Sequence, residues 1–123
     1  MKVLQVSQDR MVLQSRAMLL MQALPGCEVV SATTYADAIT ACALEPFALV
    51  ILGTGLSDSD KMKLAQHVRG TMPQAKLVEI HRGMVLLKAD LDWEAGIDPQ
   101  AFVVEVKRLM NRLGKGAAAT PKT

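Results

Sequence analysis

The chain of 123 residues has few cysteines, few aromatic side chains and no long apolar run. Its two cysteines, Cys27 and Cys42, are too few for a disulfide scaffold. No apolar stretch approaches the roughly 20 residues that a spanning helix needs, so we expect no membrane insertion. Residues 1–6 reach the polar residues 7–10 too early for the apolar stretch of a secretory signal, and we expect a cytoplasmic location. Hydrophobic residues make up 50% of the chain, which argues against a chain that is disordered throughout and predicts one globular domain.

The net charge of +2 is unevenly distributed. Residues 1–106 carry nine basic and twelve acidic side chains, whereas residues 107–123 carry five basic ones and no acid. A basic end attracts nucleic acid or acidic lipid, but Lys and Arg in the last turn of a helix also complement its dipole. Nucleic-acid binding through the C-terminal helix and tail, with Arg108 and Arg112 as contacts, is therefore our alternative function.

Apolar patterns alternate between strand and helix along the chain. Strands are predicted over Lys2 to Val6, Cys27 to Ala32, Phe47 to Leu52, Lys76 to Ile80 and Leu91 to Ala95. Helices are predicted after Asp9 up to Pro25, and over Tyr35 to Leu44, Lys61 to Thr71 and Gln100 to Leu113. This alternation predicts a doubly wound parallel α/β sheet with helices on both faces. The ten residues between Ile80 and Leu91 are too few for a full crossover helix, so we expect Met84 to Lys88 to form at most about one turn or an irregular extended segment.

Several phrases resemble the receiver domain of bacterial response regulators. Lys2 to Val6 resembles its first strand, Phe47 to Leu52 its third, Leu56 to Asp60 the loop after its phosphorylation site, and Ile97 to Phe102 the start of its last helix. The resemblance implies a flavodoxin-like, five-stranded parallel sheet in the order 2-1-3-4-5, here with a shortened or missing fourth helix. It covers residues 1–113, and residues 114–123 have the composition of a flexible tail or linker.

The resemblance also locates the residues that a working receiver uses for phosphorylation. Such a domain has two acids that hold Mg²⁺, a phosphoacceptor Asp, a Thr or Ser, and a Lys. The corresponding positions here are Ser7 and Gln8, Gly53, His81, and Ala95, and none matches. Phosphoryl transfer needs a carboxylate nucleophile beside a cation held by oxygen ligands. We therefore predict a pseudo-receiver that is not an enzyme and has no metal or other cofactor.

Other polar groups have simpler interpretations. Asp90, Asp92 and Glu94 alternate along one strand, and because the spacing of a calcium loop fails, we expect a solvated face. His81 and Arg82 could bind an anion, but ordinary loop residues are the preferred interpretation. The segment Gly53 to Gly55 is a tight turn without a phosphate-loop pattern. The two cysteines lack metal-ligand spacing and are interpreted as buried thiols.

The first helix is apolar on two sides. Val12, Ser15, Leu19 and Ala23 are expected to face the sheet, and a second stripe consists of Leu13, Ala17, Leu20 and Leu24 with Met21 beside it. This second stripe could be a surface that binds a partner protein or a second copy of the chain. Alternatively, it only reflects the apolar composition of the chain and has no role in binding.

The resemblance, together with the missing phosphorylation residues, implies a phosphorylation-independent protein-interaction module in bacterial signalling or protein localisation. A small-ligand binder or enzyme that uses His81 and Thr54 is a third hypothesis, which lacks an assembled nucleophile and base.

Overall fold

The computed structural model describes the backbone of residues 1–119 and the side chains of residues 1–111. All the predicted strands and helices are present in this part of the chain. The strands are β1 (Lys2–Val6), β2 (Glu28–Ala32), β3 (Leu49–Leu52), β4 (Lys76–His81) and β5 (Leu91–Glu94). The helices are α1 (Arg10–Ala23), α2 (Tyr35–Leu44), α3 (Asp58–Thr71) and α4 (Pro99–Ala119).

Short polar side chains determine where the first three helices begin. Asp9 Oδ1 accepts hydrogen bonds from the N–H groups of Met11 and Val12, at 3.0 and 3.2 Å. Thr34 and Ser57 each accept the N–H of the residue three positions later, at the starts of α2 and α3. These bonds satisfy amide groups that have no partner inside the helix.

The five strands form one parallel sheet in the order β2-β1-β3-β4-β5, which confirms the predicted topology. The central strand β3 is buried along its whole length, as its unbroken apolar sequence predicts. Because all strands run in the same direction, their carboxyl ends meet at one edge of the sheet. We call this the carboxyl edge.

Apolar side chains fill two layers, one on each face of the sheet. On one face, α1 and α4 pack against the sheet through Leu20, Leu24, Phe102, Val103, Val106 and Leu109. On the other face, α2 and α3 pack through Ala38, Leu64, Ala65 and Val68. In the part of the chain that the structure describes, no helix is long and apolar enough to cross a membrane.

No helix connects β4 to β5 in residues 82–90, which confirms the predicted loss of the fourth helix. The connection is instead held by a buried carboxylate. Glu79 in β4 is fully buried and accepts the N–H groups of Leu86, at 3.1 Å, and Leu87, at 2.8 Å. Leu87 is itself buried against the α2 and α3 layer. One strand residue therefore anchors the segment that connects β4 to β5 in place of a helix.

The predicted orientation of α1 is wrong in part, because Leu19 and Ala23 pack against the core as expected but the leucine stripe is buried as well. Leu13, Leu20 and Leu24, which we predicted to form a partner surface, are buried. Val12 and Ser15, expected to face the sheet, are exposed. Both stripes have helical spacing, so periodicity could not distinguish them. The leucine stripe buries more apolar area than the stripe that contains Ser15 and Ala23, and it takes the inner position. Of the predicted surface, Met21 is exposed and Ala17 is half-buried.

The last helix continues beyond its predicted end at Leu113. The backbone of α4 is helical as far as Ala119, so residues 114–119 differ from the predicted linker. Gly114 and Gly116 each disfavour a helix by about 1 kcal/mol relative to alanine, but the three alanines that follow are the best helix formers. Residues 120–123 of the predicted tail lie outside the described residues.

Candidate functional site

The carboxyl edge gathers the residues that the sequence suggested as a degenerate phosphorylation pocket. Ser7, Gly53 and Ala95 directly follow β1, β3 and β5, and His81 is the last residue of β4. The N–H of Gly53 donates to the carbonyl of Val6 at 2.7 Å. The N–H of Ala95 donates to the carbonyl of His81 at 2.7 Å. The edge therefore places Gly53 beside the end of β1, and Ala95 beside His81.

The side chain of Ser7 is fully buried and joins two loops. Its Oγ donates to the carbonyl oxygen of Thr54 at 3.2 Å and accepts the N–H of Asp9 at 3.2 Å. The hydroxyl thus links the turn after β3 to the start of α1. Both the donor and an acceptor position of this hydroxyl are used within the chain.

Gly53 lies so close to β1 that a side chain does not fit there. A Cβ atom added to Gly53 would lie 2.8 Å from the carbonyl oxygen of Val6 and 3.1 Å from the Cβ of Ser7. The first of these contacts is with backbone that is fixed by the hydrogen bond from Gly53 itself. The packing of the edge therefore leaves no space for a carboxylate side chain at this position.

Gln8 lies against the same turn. A Cβ added to Gly55, whose φ is +91°, would lie 3.0 Å from the Cβ of Gln8. A left-handed φ favours glycine, and the neighbouring side chain leaves little space for any other residue. The segment Gly53 to Gly55 is therefore a tight turn packed against residues 7 and 8.

Both ring nitrogens of His81 have partners. Nδ1 accepts the N–H of Gly83 at 3.1 Å, which places the proton of the neutral ring on Nε2. Nε2 lies 3.5 Å from a carboxylate oxygen of Asp92 on the neighbouring strand. His81 thus holds the turn after β4 against β5. This geometry supports its interpretation as a structural residue rather than as a free anion ligand.

The backbone is similar to several solved structures. A CheY-like response regulator receiver domain from Methanospirillum hungatei JF-1 matches with a TM-score of 0.80, over 93% of this chain and 96% of that chain. This chain has the receiver-domain fold. A two component transcriptional regulator AraC from Clostridium phytofermentans ISDg matches with a TM-score of 0.81, over 96% and 98% of the two chains. The sequence identities are only 20% and 16%.

A third structure, the response regulatory domain of protein mrkE from Klebsiella pneumoniae, has a TM-score of 0.77 at 16% identity, over 94% of this chain and 99% of that chain. No protein-family model matches the sequence, and no curated protein is significantly similar to it. The likeness to receiver domains therefore rests on the backbone, and function has to be argued from the side chains.

The residues at the edge of this receiver fold do not suit the Mg²⁺ ion that receivers hold there. Ser7 and Gln8 are neutral, and Gly53 has no donor side chain. The nearby carboxylate of Asp9 already caps α1. Among the described residues, no three His, Cys, Asp or Glu side chains are grouped so that they could hold a metal ion. A hard divalent cation requires several oxygen ligands, and this donor set does not supply them.

A buried ion pair, which the sequence patterns did not predict, lies on the α3 side of the carboxyl edge. Lys61 Nζ lies 3.3 Å from Glu79 Oε2 and donates to the carbonyl of Ile80 at 2.9 Å. Only 9% of the Lys61 side chain and none of the Glu79 side chain is exposed. The sequence contains one signal for this pair, which is the position of Glu79 inside the apolar strand Leu77 to Ile80. A buried charge needs a partner.

The acidic strand is solvated on the side where the missing helix would pack. Asp90, Asp92 and Glu94 are exposed, as predicted. Asp90 also accepts the N–H of Leu77 at 2.8 Å. The absence of a helix over this part of the sheet explains why carboxylates are tolerated there.

The basic C-terminal end is described only in part. Arg108 pairs with Glu105 at 2.6 Å on the exposed side of α4. The side chains of Arg112, Lys115 and Lys122 lie outside the described residues. The pair with Glu105 offsets one of the five basic charges on which the nucleic-acid alternative rests.

The two cysteines are unpaired thiols, one buried and one half-buried. Burial raises the pKa of both Cys27 and Cys42 above the ordinary value. A raised pKa keeps each sulfur in the unreactive thiol form at neutral pH.

Proposed function

We propose that this domain acts without phosphorylation, as a non-enzymatic protein-interaction module in two-component signalling or protein localisation. The observation that carries the proposal is the close approach of Gly53 to Val6 and Ser7. The position that would bear the phosphoacceptor has no room for a Cβ, and its neighbour Ser7 is buried and hydrogen-bonded. Close backbone packing therefore occupies the place where a working receiver has a nucleophilic carboxylate and its cation.

A domain that has lost this chemistry can still present a rigid surface to a protein. The outer side of α1 supports such a role, because Met11, Met18 and Met21 are all exposed, Met18 to 61%. These positions lie seven and three residues apart and follow one side of the helix. Methionine side chains adapt to irregular partner surfaces. This stripe replaces the leucine stripe that the sequence suggested, and only Met21 belongs to both.

Treatment with acetyl phosphate and Mg²⁺ is expected to leave the mass of the protein unchanged. Intact-mass measurement immediately after incubation detects the roughly 80 daltons that a phosphoryl group adds. A phosphorylatable receiver domain, treated in parallel, shows that the reagent is active. An adduct of that mass on this chain would contradict the proposal.

Substitution of Met18 by Lys is expected to weaken recovery of the partner by about tenfold or more, because a charge would enter an apolar contact. The measurement is quantitative mass spectrometry of proteins retained from the native organism by wild-type and variant chains. Met62→Lys is the matched control, since Met62 is 46% exposed on α3. Equal loss in both variants, or in neither, would rule out α1 as the interaction surface.

A further inference from the structure

A cleft of about 470 Å³ opens at the carboxyl edge, between α1 and the loop that joins β5 to α4. It lies beside the degenerate pocket, on the opposite side of the sheet from the Lys61–Glu79 pair. Its apolar lining comes from three parts of the fold and includes Leu19, Ile80, Trp93 and Phe102. The rings of Trp93 and Phe102 lie with their centroids 5.7 Å apart. The volume is in the range of pockets that hold small molecules.

Two arginines, Arg16 and Arg82, are among the residues that line the same cleft. Arg16 extends from α1, with its Cζ 5.8 Å from the ring centroid of Phe102 and its Nη1 3.4 Å from Gln5 Oε1. Burial lowers the pKa of Arg16, while the charge of Asp9 acts against this shift. An arginine stays protonated at neutral pH even so, and a partly desolvated guanidinium gains strongly from an anion.

The acids within this part of the fold do not neutralise the two arginines. Among the described side chains, no carboxylate lies within 4.0 Å of the guanidinium nitrogens of Arg16 or Arg82. Asp9 is the one acidic residue in the lining of the cleft. Its Oδ1 accepts two backbone N–H groups at the start of α1. The cleft therefore combines an aromatic and aliphatic floor with positive charge that, among the described side chains, has no carboxylate within salt-bridge distance.

We propose that this cleft binds a small organic anion that has an aromatic or aliphatic body and a carboxylate, sulfonate or similar group. The body packs on Trp93, Phe102 and Ile80, and the anionic group pairs with Arg16 and Arg82. A bound molecule would contact α1, β5 and the start of α4 together. Binding would give this fold a chemical input that needs no phosphorylation, and it depends on the cleft rather than on the loss at Gly53.

The test uses two fluorescent probes that share an aromatic body. 1-Anilinonaphthalene-8-sulfonate carries an anionic group, and N-phenyl-1-naphthylamine is its neutral counterpart. Trp93 is the only tryptophan in the chain and lines the cleft, so energy transfer from it reports probe bound nearby, and the arginine variants test whether that probe occupies the cleft. The anionic probe is expected to bind about tenfold or more tightly than the neutral one, as charge-assisted hydrogen bonds to guanidinium predict.

The substitutions Arg16→Gln and Arg82→Gln are each expected to remove most of that preference and to leave binding of the neutral probe nearly unchanged. Arg108→Gln, on the exposed side of α4, is the matched control and is expected to retain the preference. Since Arg16 also contacts Gln5 and Phe102, Arg82→Gln on the exposed loop gives an independent result should Arg16→Gln fail to fold. Equal affinity for the two probes, no energy transfer, or an unchanged preference in Arg82→Gln would overturn the proposal.

Discussion

Replacement of Glu79 by alanine is expected to lower the free energy of unfolding by about 3–5 kcal/mol, because it breaks a buried ion pair on one side only. Lys61, with 9% of its side chain exposed, would be left without its carboxylate. The N–H groups of Leu86 and Leu87 would lose their common acceptor as well. Urea denaturation followed by Trp93 fluorescence measures the change.

Two further variants separate the charge of Glu79 from its hydrogen bonds. Glu79→Gln keeps a carbonyl acceptor for the loop and removes the charge, so it is expected to be less destabilising than Glu79→Ala. Glu105→Ala is the exposed control, since it breaks a surface pair whose loss costs at most about 1 kcal/mol. If Glu79→Ala were no more destabilising than Glu105→Ala, the buried pair would not anchor the connection.

Substitution of Gly53 by alanine is expected to destabilise the protein by about 1–3 kcal/mol, although it adds a single methyl group. The new Cβ would lie 2.8 Å from the carbonyl oxygen of Val6, and the backbone of β1 or β3 would have to shift. Gly53→Asp brings the same Cβ, so restoring the receiver's acid at this position is expected to damage the fold and to give no phosphorylation by acetyl phosphate. Both variants can be measured by denaturation and by intact mass.

The same substitution at Gly70 is the matched control. Gly70 lies within α3, and a Cβ added there meets no atom within 4 Å. Gly70→Ala is expected to raise stability by about 0.5–1 kcal/mol, because alanine favours the helix and restricts the unfolded chain. A Gly53→Ala variant as stable as Gly70→Ala would show that the carboxyl edge has room for a side chain, and the central argument of the proposed function would fail.

Local signals in the sequence were sufficient for the order of elements. The unbroken apolar run Phe47 to Leu52 predicted a strand with both faces covered, and β3, over Leu49–Leu52, is the buried centre of the sheet. Asp9, Thr34 and Ser57 precede helices, and each accepts the hydrogen bonds of a cap. The short interval before β5 predicted the missing helix. These signals act over a few residues, within the range of chain that a sequence pattern describes.

The sequence did not settle which side of α1 faces the sheet. Periodicity alone cannot distinguish two apolar stripes on one helix. The leucines that are buried in the structure were assigned to the outer stripe. Residues 7, 53, 81 and 95, which the resemblance grouped together, lie at one edge of the sheet. The Lys61–Glu79 pair and the cleft lined by Arg16 and Trp93 were missed, because each joins residues that are far apart in the chain.

By itself, the amino-acid sequence determined the alternation of strands and helices, the parallel sheet, and the absence of a carboxylate at positions 7, 8 and 53. These properties depend on residue type and on spacing along the chain. Only the tertiary structure decided that Gly53 has no room for a Cβ, that Glu79 holds the β4–β5 connection, and that α1 turns Leu13, Leu20 and Leu24 inward. Such properties depend on distances between elements, which are fixed by packing once the sheet and its two helical layers have come together.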